Sequence, residues 1–298
     1  MFKRIFLFLA MNLAIIVLVT IVLAILESVF GFSITAYGAN YTGLFIFALI
    51  FGFTGSFISL FMSKWMAKKA YNVQIIGRDK LNNLNDKEKL VWQVVEELSE
   101  RNRIKMPEVG IYMSKDPNAF ATGPSKNNSL VAVSSGLLDM MDKNAIEGVV
   151  AHEMAHVLNG DMVTMTLLQG VLNTFVIFFA RVIAEVVRSR NENLGGFAYY
   201  GIVIALEIVF GIFASLIAMA FSRYREFRAD AGSAKFVGKE KMIAGLQALK
   251  NMQALASSDD SKLAAMMIST KKRKGFFALF SSHPDLDDRI QALENLRV

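Results

Sequence analysis

The amino-acid sequence predicts a mainly α-helical, multi-pass membrane protein in which two transmembrane hairpins alternate with the two halves of a cytoplasmic domain holding a small β-sheet. Three observations predict it. Hydrophobic residues fill 54% of 298 positions and the mean hydropathy is positive, too apolar for an ordinary soluble domain of this length. Long runs almost free of charge occur in two pairs. The stretches between and after the pairs have the density of charge of a soluble domain. The expected organisation is a first hairpin over 1–70, the first half of the domain over 71–161, a second hairpin over 162–221 and the second half over 222–298.

Taken in order, Ile5 to Leu26 is uncharged and, at ~22 residues, long enough to cross the hydrocarbon core as a helix. Lys3 and Arg4 precede it, as they would a signal peptide, but the apolar core of a signal peptide is usually ~7–15 residues, so a retained anchor is expected. Leu44 to Met62 is the second run, followed by Lys64, Lys68 and Lys69. The loop between them, Glu27 to Tyr41, has no Lys or Arg. The positive flanks therefore read as cytoplasmic. In the soluble stretch, Asp86 can cap a helix on which Leu90, Val91, Val94, Val95 and Leu98 share a face. Val109 to Met113 and Leu130 to Val133, set off by Pro107, Pro117 and Gly123, read as strands. The third and fourth runs are Met162 to about Ile183 and Phe197 to Phe221, joined by RSRNENLGG. Polar Thr164, Thr166, Gln169 and Asn173, and the arginines Arg188 and Arg190 in the connection, leave a re-entrant hairpin open as the alternative. Glu207 lies deep in the fourth run, where a charge is costly and usually paired, with Arg181 at similar depth.

The composition also excludes. There is no cysteine, so no disulfide, thiolate ligand or cysteine nucleophile. The net charge of +6 sits largely beside the apolar runs, where the anionic lipid of the bilayer is the simpler partner; no nucleic acid is expected. The cluster Lys271 to Lys274 reads as a solvated or lipid-facing patch. Of only three histidines, His152, His156 and His283, two stand four residues apart.

Those two lie in HEMAH. Asn144 with Glu147 has capping-box spacing, and Asn159 with Gly160 supplies a stop, so a helix should span about Ala145 to Leu158. At i and i+4 both imidazoles project from one face, where one nitrogen of each can bind a single ion at roughly 2.0–2.1 Å. Glu153, next to the first ligand, would lie beside the ion without ligating it. It can then act as general base on a water that the ion acidifies. The competing reading is a chance histidine pair on an amphipathic helix. Apolar GVVA before the motif, and the scarcity of other charge in the helix, argue for zinc, one ion per chain.

Two histidines and a water leave one ligand to find. Asn159 and Met162 occupy the positions at which a longer motif would carry glycine and a third histidine, so a carboxylate further along is required. In SRYREFRADAGSAKF, directly after the fourth run, Glu226 and Asp230 are again i and i+4. Glu226 is expected to ligate, and Asp230 to accept the N–H of a ligand histidine. Alternatively, Arg223, Arg225, Arg228, Glu226 and Asp230 pair with one another on a surface.

On these residues the chain resembles the bacterial HtpX membrane metalloproteases, which are related to the CAAX prenyl proteases. The resemblance covers essentially the whole chain and rests on AHEMAHVLNGDMVTMTLLQG, FSRYREFRADAGSAKFVG and SSHPDLDDRI. It implies a gluzincin-like zinc peptidase domain in the bacterial cytoplasmic (inner) membrane, with its active site facing the cytoplasm, acting on damaged or misassembled membrane proteins in a stress response. It also implies Glu226 as third ligand, His283 and Arg289 as groups that hydrogen-bond the site and stabilise an oxyanion, and Asn118 and Ala119 as contacts to an extended substrate. For His283 a loop role near a helix cap is the alternative. Two rivals remain open on sequence: a transporter or scaffold with a structural metal, and a peptidase for prenylated substrates. Four spans, rather than a larger intramembrane chamber, favour the quality-control reading. The oligomeric state is not legible.

Overall fold

A computed structural model describes residues 41–191, 194–258 and 281–296. The predicted first span, Ile5 to Leu26, most of the loop that follows it and the cluster Lys271 to Lys274 lie outside the described residues. The elements, in order, are α1 (Tyr41–Tyr71), β1 (Gln74–Ile76), a 3-10 turn (Arg78–Asn83), α2 (Asp86–Arg101), β2 (Glu108–Tyr112), β3 (Ala119–Ser125), β4 (Asn128–Ser134), α3 (Ser135–Met140), α4 (Lys143–Asn159), α5 (Asp161–Ser189), α6 (Gly196–Val237), α7 (Lys239–Ser258) and α8 (Leu286–Glu294). Among the described residues three helices, α1, α5 and α6, are long and apolar enough to cross a membrane. They contain the second, third and fourth apolar runs, and α5, at 29 residues, has the length of a full span. The fold is thus mainly helical with a small mixed sheet and several membrane helices, as the composition required.

The chain divides into two units. One comprises, in the described residues, 41–59 and 165–218. There, the lack of a side chain at Gly170 admits the ring of Phe53, and Gly52 faces Thr174. Hydroxyls in this apolar setting bond back to their own helices, Ser56 to the Gly52 carbonyl at 3.1 Å and Thr174 to that of Gly170 at 2.8 Å, which spares them an unsatisfied polar atom in hydrocarbon. Arg181 donates to Glu207 at 2.7 Å and stands over the Phe47 ring. The buried-depth charge of the fourth run therefore has the partner expected for it.

The other unit comprises 60–164 and, further on, 219–258 and 281–296. Its sheet has the order β1-β2-β4-β3. β2 and β4 are parallel, while β1 and β3 flank them antiparallel. β3 is thus an edge strand. Val109, Val131 and Val133 of the inner strands form one core with Val91, Val94, Val95 and Leu98 of α2 and Ile146, Val150, Met154 and Val157 of α4. Local boundaries differ from expectation by a residue or two. Asn85, not Asp86, caps α2 in a full capping box with Glu88. Asp142, not Asn144, caps α4 by accepting from the Ala145 amide at 2.8 Å, because Glu147 is drawn instead to Lys241 of α7. Gly160 ends α4 as expected, with φ 69°, the left-handed conformation that glycine adopts without strain. α4 is gripped closely by its neighbours. Gly148 lies against the Lys241 carbonyl, and Ser233 of α6 donates to the Gly148 carbonyl at 2.8 Å.

Candidate metal centre

HEMAH occupies the last turns of α4, and its helical spacing sets both imidazoles on one side. His152 Nε2 and His156 Nε2 are 3.2 Å apart. Glu226, on the part of α6 that follows the fourth run, reaches the same point: its Oε1 is 3.4 Å from His156 Nε2 and its Oε2 is 3.5 Å from His152 Nε2. Among the described residues these three form the one group able to hold a metal. The edges suit that use, since two ligands at ~2.0–2.1 Å from a tetrahedral ion stand about 3.3 Å apart. Glu226 Oε2 is buried and makes no well-formed hydrogen bond, a costly state for a carboxylate that a cation would relieve. Two imidazoles and a carboxylate, with no thiolate, fit zinc.

The surroundings are strongly anionic. Burial alone would depress the pKa of His152, but the carboxylates of Asp230 and Glu226 outweigh it and raise the value. Burial likewise opposes protonation of His156, yet Asp161 and Glu226 push its pKa up to about 9. A field that favours a proton on both rings favours a cation between them.

Asp230 Oδ1 is 2.9 Å from His152 Nδ1, which sets Asp230 behind a ring, while Glu226 is in the metal-holding group. Glu153 is partly exposed on α4 and is not in the metal-holding group. Its charge acts on His156, Arg289 and Tyr112. His283 Nδ1 is 2.9 Å from Glu226 Oε2. Arg289, 5% exposed, turns its fork onto Asp230, with Nε and Nη2 donating at 2.7 and 2.6 Å, and its Nη1 is 3.4 Å from Glu226 Oε2. Asn118 and Ala119 lie where β3 begins, pairing inward with Ser134 and Val133 of β4. One buried residue escaped the sequence reading. Asp161, 1% exposed, sits 2.6 Å from His156 Nδ1 through its Oδ2, while Arg228 donates to its Oδ1. The signal was present in the NGD that follows HEMAH, a helix-stopping glycine that turns an aspartate back toward the last turn.

Comparison with known proteins gives the family. The model of peptidase family M48 matches residues 85–297. The chain is 50% identical over 297 residues to the protease HtpX of Idiomarina loihiensis, spanning 99% of this chain and 100% of the relative. It is 53% identical over 294 residues to the protease HtpX of Pasteurella multocida, 98% of each chain, and 49% identical to an HtpX homologue of Bacillus licheniformis, covering 98% of this chain and 99% of the relative. Among solved structures, Ste24p of S. mikatae superposes with a TM-score of 0.61 at 16% identity, covering 91% of this chain and 64% of that one, a likeness of fold. A membrane protein with a His-His-Glu cluster, matched across its length by such relatives, belongs to the M48 metallopeptidases, a zinc-dependent family, among the HtpX membrane proteases.

Proposed function

We propose that the protein is a zinc endopeptidase of the bacterial cytoplasmic membrane whose active site faces the cytoplasm and which cleaves misfolded or damaged membrane proteins under stress. The observation that carries the catalytic part is the largely buried cluster of His152, His156 and Glu226, with Glu153 outside the ligand set and close enough for its charge to act on His156. Zinc held there would polarise the scissile carbonyl and acidify a water. Glu153 takes the water's proton and returns it to the leaving amine. Asp230 fixes the ring of His152, and Arg289, with Nε and Nη2 both on Asp230, serves that carboxylate. This leaves His283, half exposed with its Nδ1 2.9 Å from Glu226 Oε2, as the group better placed to stabilise the oxyanion.

Substrate entry is supported by the sheet. Among the described residues β3 has one edge on β4 and no strand on the other, and it packs beside α4, so an extended peptide added to it through Asn118 and Ala119 runs along the motif helix. His156 precedes the third apolar run by only a few residues, and Glu226 follows the fourth as closely. Loops and termini that emerge from the bilayer are therefore favoured over the bulk of folded soluble proteins. The 50% identity along the chain to an HtpX protease, against likeness of fold alone to Ste24p, sets the protein with the former.

The test is proteolysis of a membrane substrate by purified protein with and without zinc, alongside Glu153→Gln. The variant should hold zinc and cleave nothing. A variant as active as the parent would remove Glu153 from the mechanism.

A further inference from the structure

We propose that Asp161 is a positioning residue for His156, and that Arg228 acts on the metal site through it. The inference rests on the zinc reading above and goes beyond it, since Asp161 is neither a ligand nor one of the groups assigned from sequence. A carboxylate only accepts, so the contact of Asp161 Oδ2 with His156 Nδ1 at 2.6 Å requires the hydrogen of a neutral ring to be on Nδ1. The lone pair is then on Nε2, the atom turned toward His152 and Glu226. In an unbroken helix a residue five positions on lies about 140° around the axis. The left-handed Gly160 breaks the helix and brings Asp161 back beside the ring.

Asp161 is held in turn. Arg228 Nη2 occupies its Oδ1, and Arg225 Nη1 donates to its backbone carbonyl at 3.2 Å. Arg228 keeps part of its side chain in water, 42% exposed, so its charge is inexpensive to maintain while its tip fixes a buried carboxylate. One turn and a half of α6 therefore governs all three metal-holding residues. Glu226 is one of them, Asp230 backs His152, and Arg225 with Arg228 sets Asp161 behind His156. The charges in REFRAD reach across to the site instead of pairing among themselves.

The competing role for Asp161 is purely structural, as an acidic residue in the first turn of α5. Zinc affinity separates the two, measured by chelator competition on the full chain in detergent, together with the absorption spectrum of the cobalt-substituted protein and the melting temperature. Asp161→Ala should weaken zinc by about 10–100-fold and perturb the cobalt spectrum, as loss of a carboxylate behind a ligand histidine does. Arg228→Gln should weaken it several-fold, and the double variant should be no weaker than Asp161→Ala, because one residue acts through the other. A folded Asp161→Ala protein with the parent's affinity and spectrum overturns the proposal, even if its melting temperature falls. If Asp161→Ala fails to fold, Arg228→Gln decides: parental affinity there overturns it as well. His156→Ala is the control for the underlying reading. If that variant still binds zinc like the parent, the metal site itself is misassigned and the positioning role falls with it; if it does not, the outcome for Asp161 stands on its own.

Discussion

Arg289→Met tests whether the guanidinium positions Asp230 or contacts the reacting peptide. In the parent, two of its N–H groups are spent on the two oxygens of Asp230, at 2.7 and 2.6 Å, and both residues are almost completely buried. Methionine fills much of the volume and removes both hydrogen bonds, leaving Asp230 with the His152 ring as its remaining partner. Breaking a buried pair from one side costs about 3–5 kcal/mol. At about 2–4 °C per kcal/mol for a protein of this size, the melting temperature should fall by ~6–20 °C. Thermal unfolding in detergent measures the shift. The double variant Arg289→Met, Asp230→Asn should recover part of the loss, because the stranded charge is gone. A donor to the oxyanion makes the opposite pattern, with activity lost and stability kept. A melting temperature within about 2 °C of the parent, together with abolished turnover, would refute the positioning role.

The same physical reading makes three further predictions. Because the pKa of His156 is pushed up to about 9 and that of His152 is also raised, both rings hold a proton more tightly than a free imidazole. Zinc must displace those protons, so lowering the pH from about 8 to 7 should weaken binding up to about tenfold for each proton released; chelator competition at the two pH values checks it, and unchanged affinity would contradict it. Gly148→Ala should destabilise by about 1–3 kcal/mol, since its Cβ meets the backbone of Lys241 and Met242 and backbone cannot rotate away; the melting temperature reports it, and no change would mean that α4 and α7 can separate freely. In the membrane helices, Arg181→Met or Glu207→Gln alone should lower the yield of folded protein more than the two together, since the double variant leaves no charge without a partner; equal yields from all three would show that the pair contributes nothing.

The fold was legible where pattern and chemistry were local. Uncharged runs of membrane length, the i, i+4 histidines and the glycine stop all depend on neighbours in sequence; the second, third and fourth runs, both histidines and the stop lie in helices of the described residues or at their ends. The sheet was half legible. The valine-rich β4 and its partner β2 were read as strands, but β3, AFATGPS, contains Gly123 and Pro124 and has a register shift after Thr122, which in sequence is indistinguishable from a loop. Its strand character comes from β4 beside it. The cap of α4 failed for a related reason. Asn144 and Glu147 have the right spacing, yet Lys241, 94 residues away in sequence, takes Glu147, and the cap passes to Asp142.

The site divides along the same line. His152, His156, Glu226 and Asp230 could be named because each pair has helical spacing, so one helix places two side chains at once. Arg289 and His283 could be named only through resemblance, since nothing local links α8, or the loop before it, to α4. Asp161 shows the limit more sharply. It lies five residues from His156, near enough for sequence reasoning, but its significance depends on a left-handed Gly160 and on Arg228, a residue 67 positions away. Without those, an aspartate at the start of an apolar helix reads as a favourable first-turn charge and nothing more. With them, both histidines have a similar construction: an imidazole, a carboxylate facing its Nδ1, and an arginine on the carboxylate, with His152, Asp230 and Arg289 on one side and His156, Asp161 and Arg228 on the other. The two arms differ in exposure, since Arg289 is buried and Arg228 half in water. Damage to the first should therefore appear chiefly as lost stability, and damage to the second chiefly as lost metal.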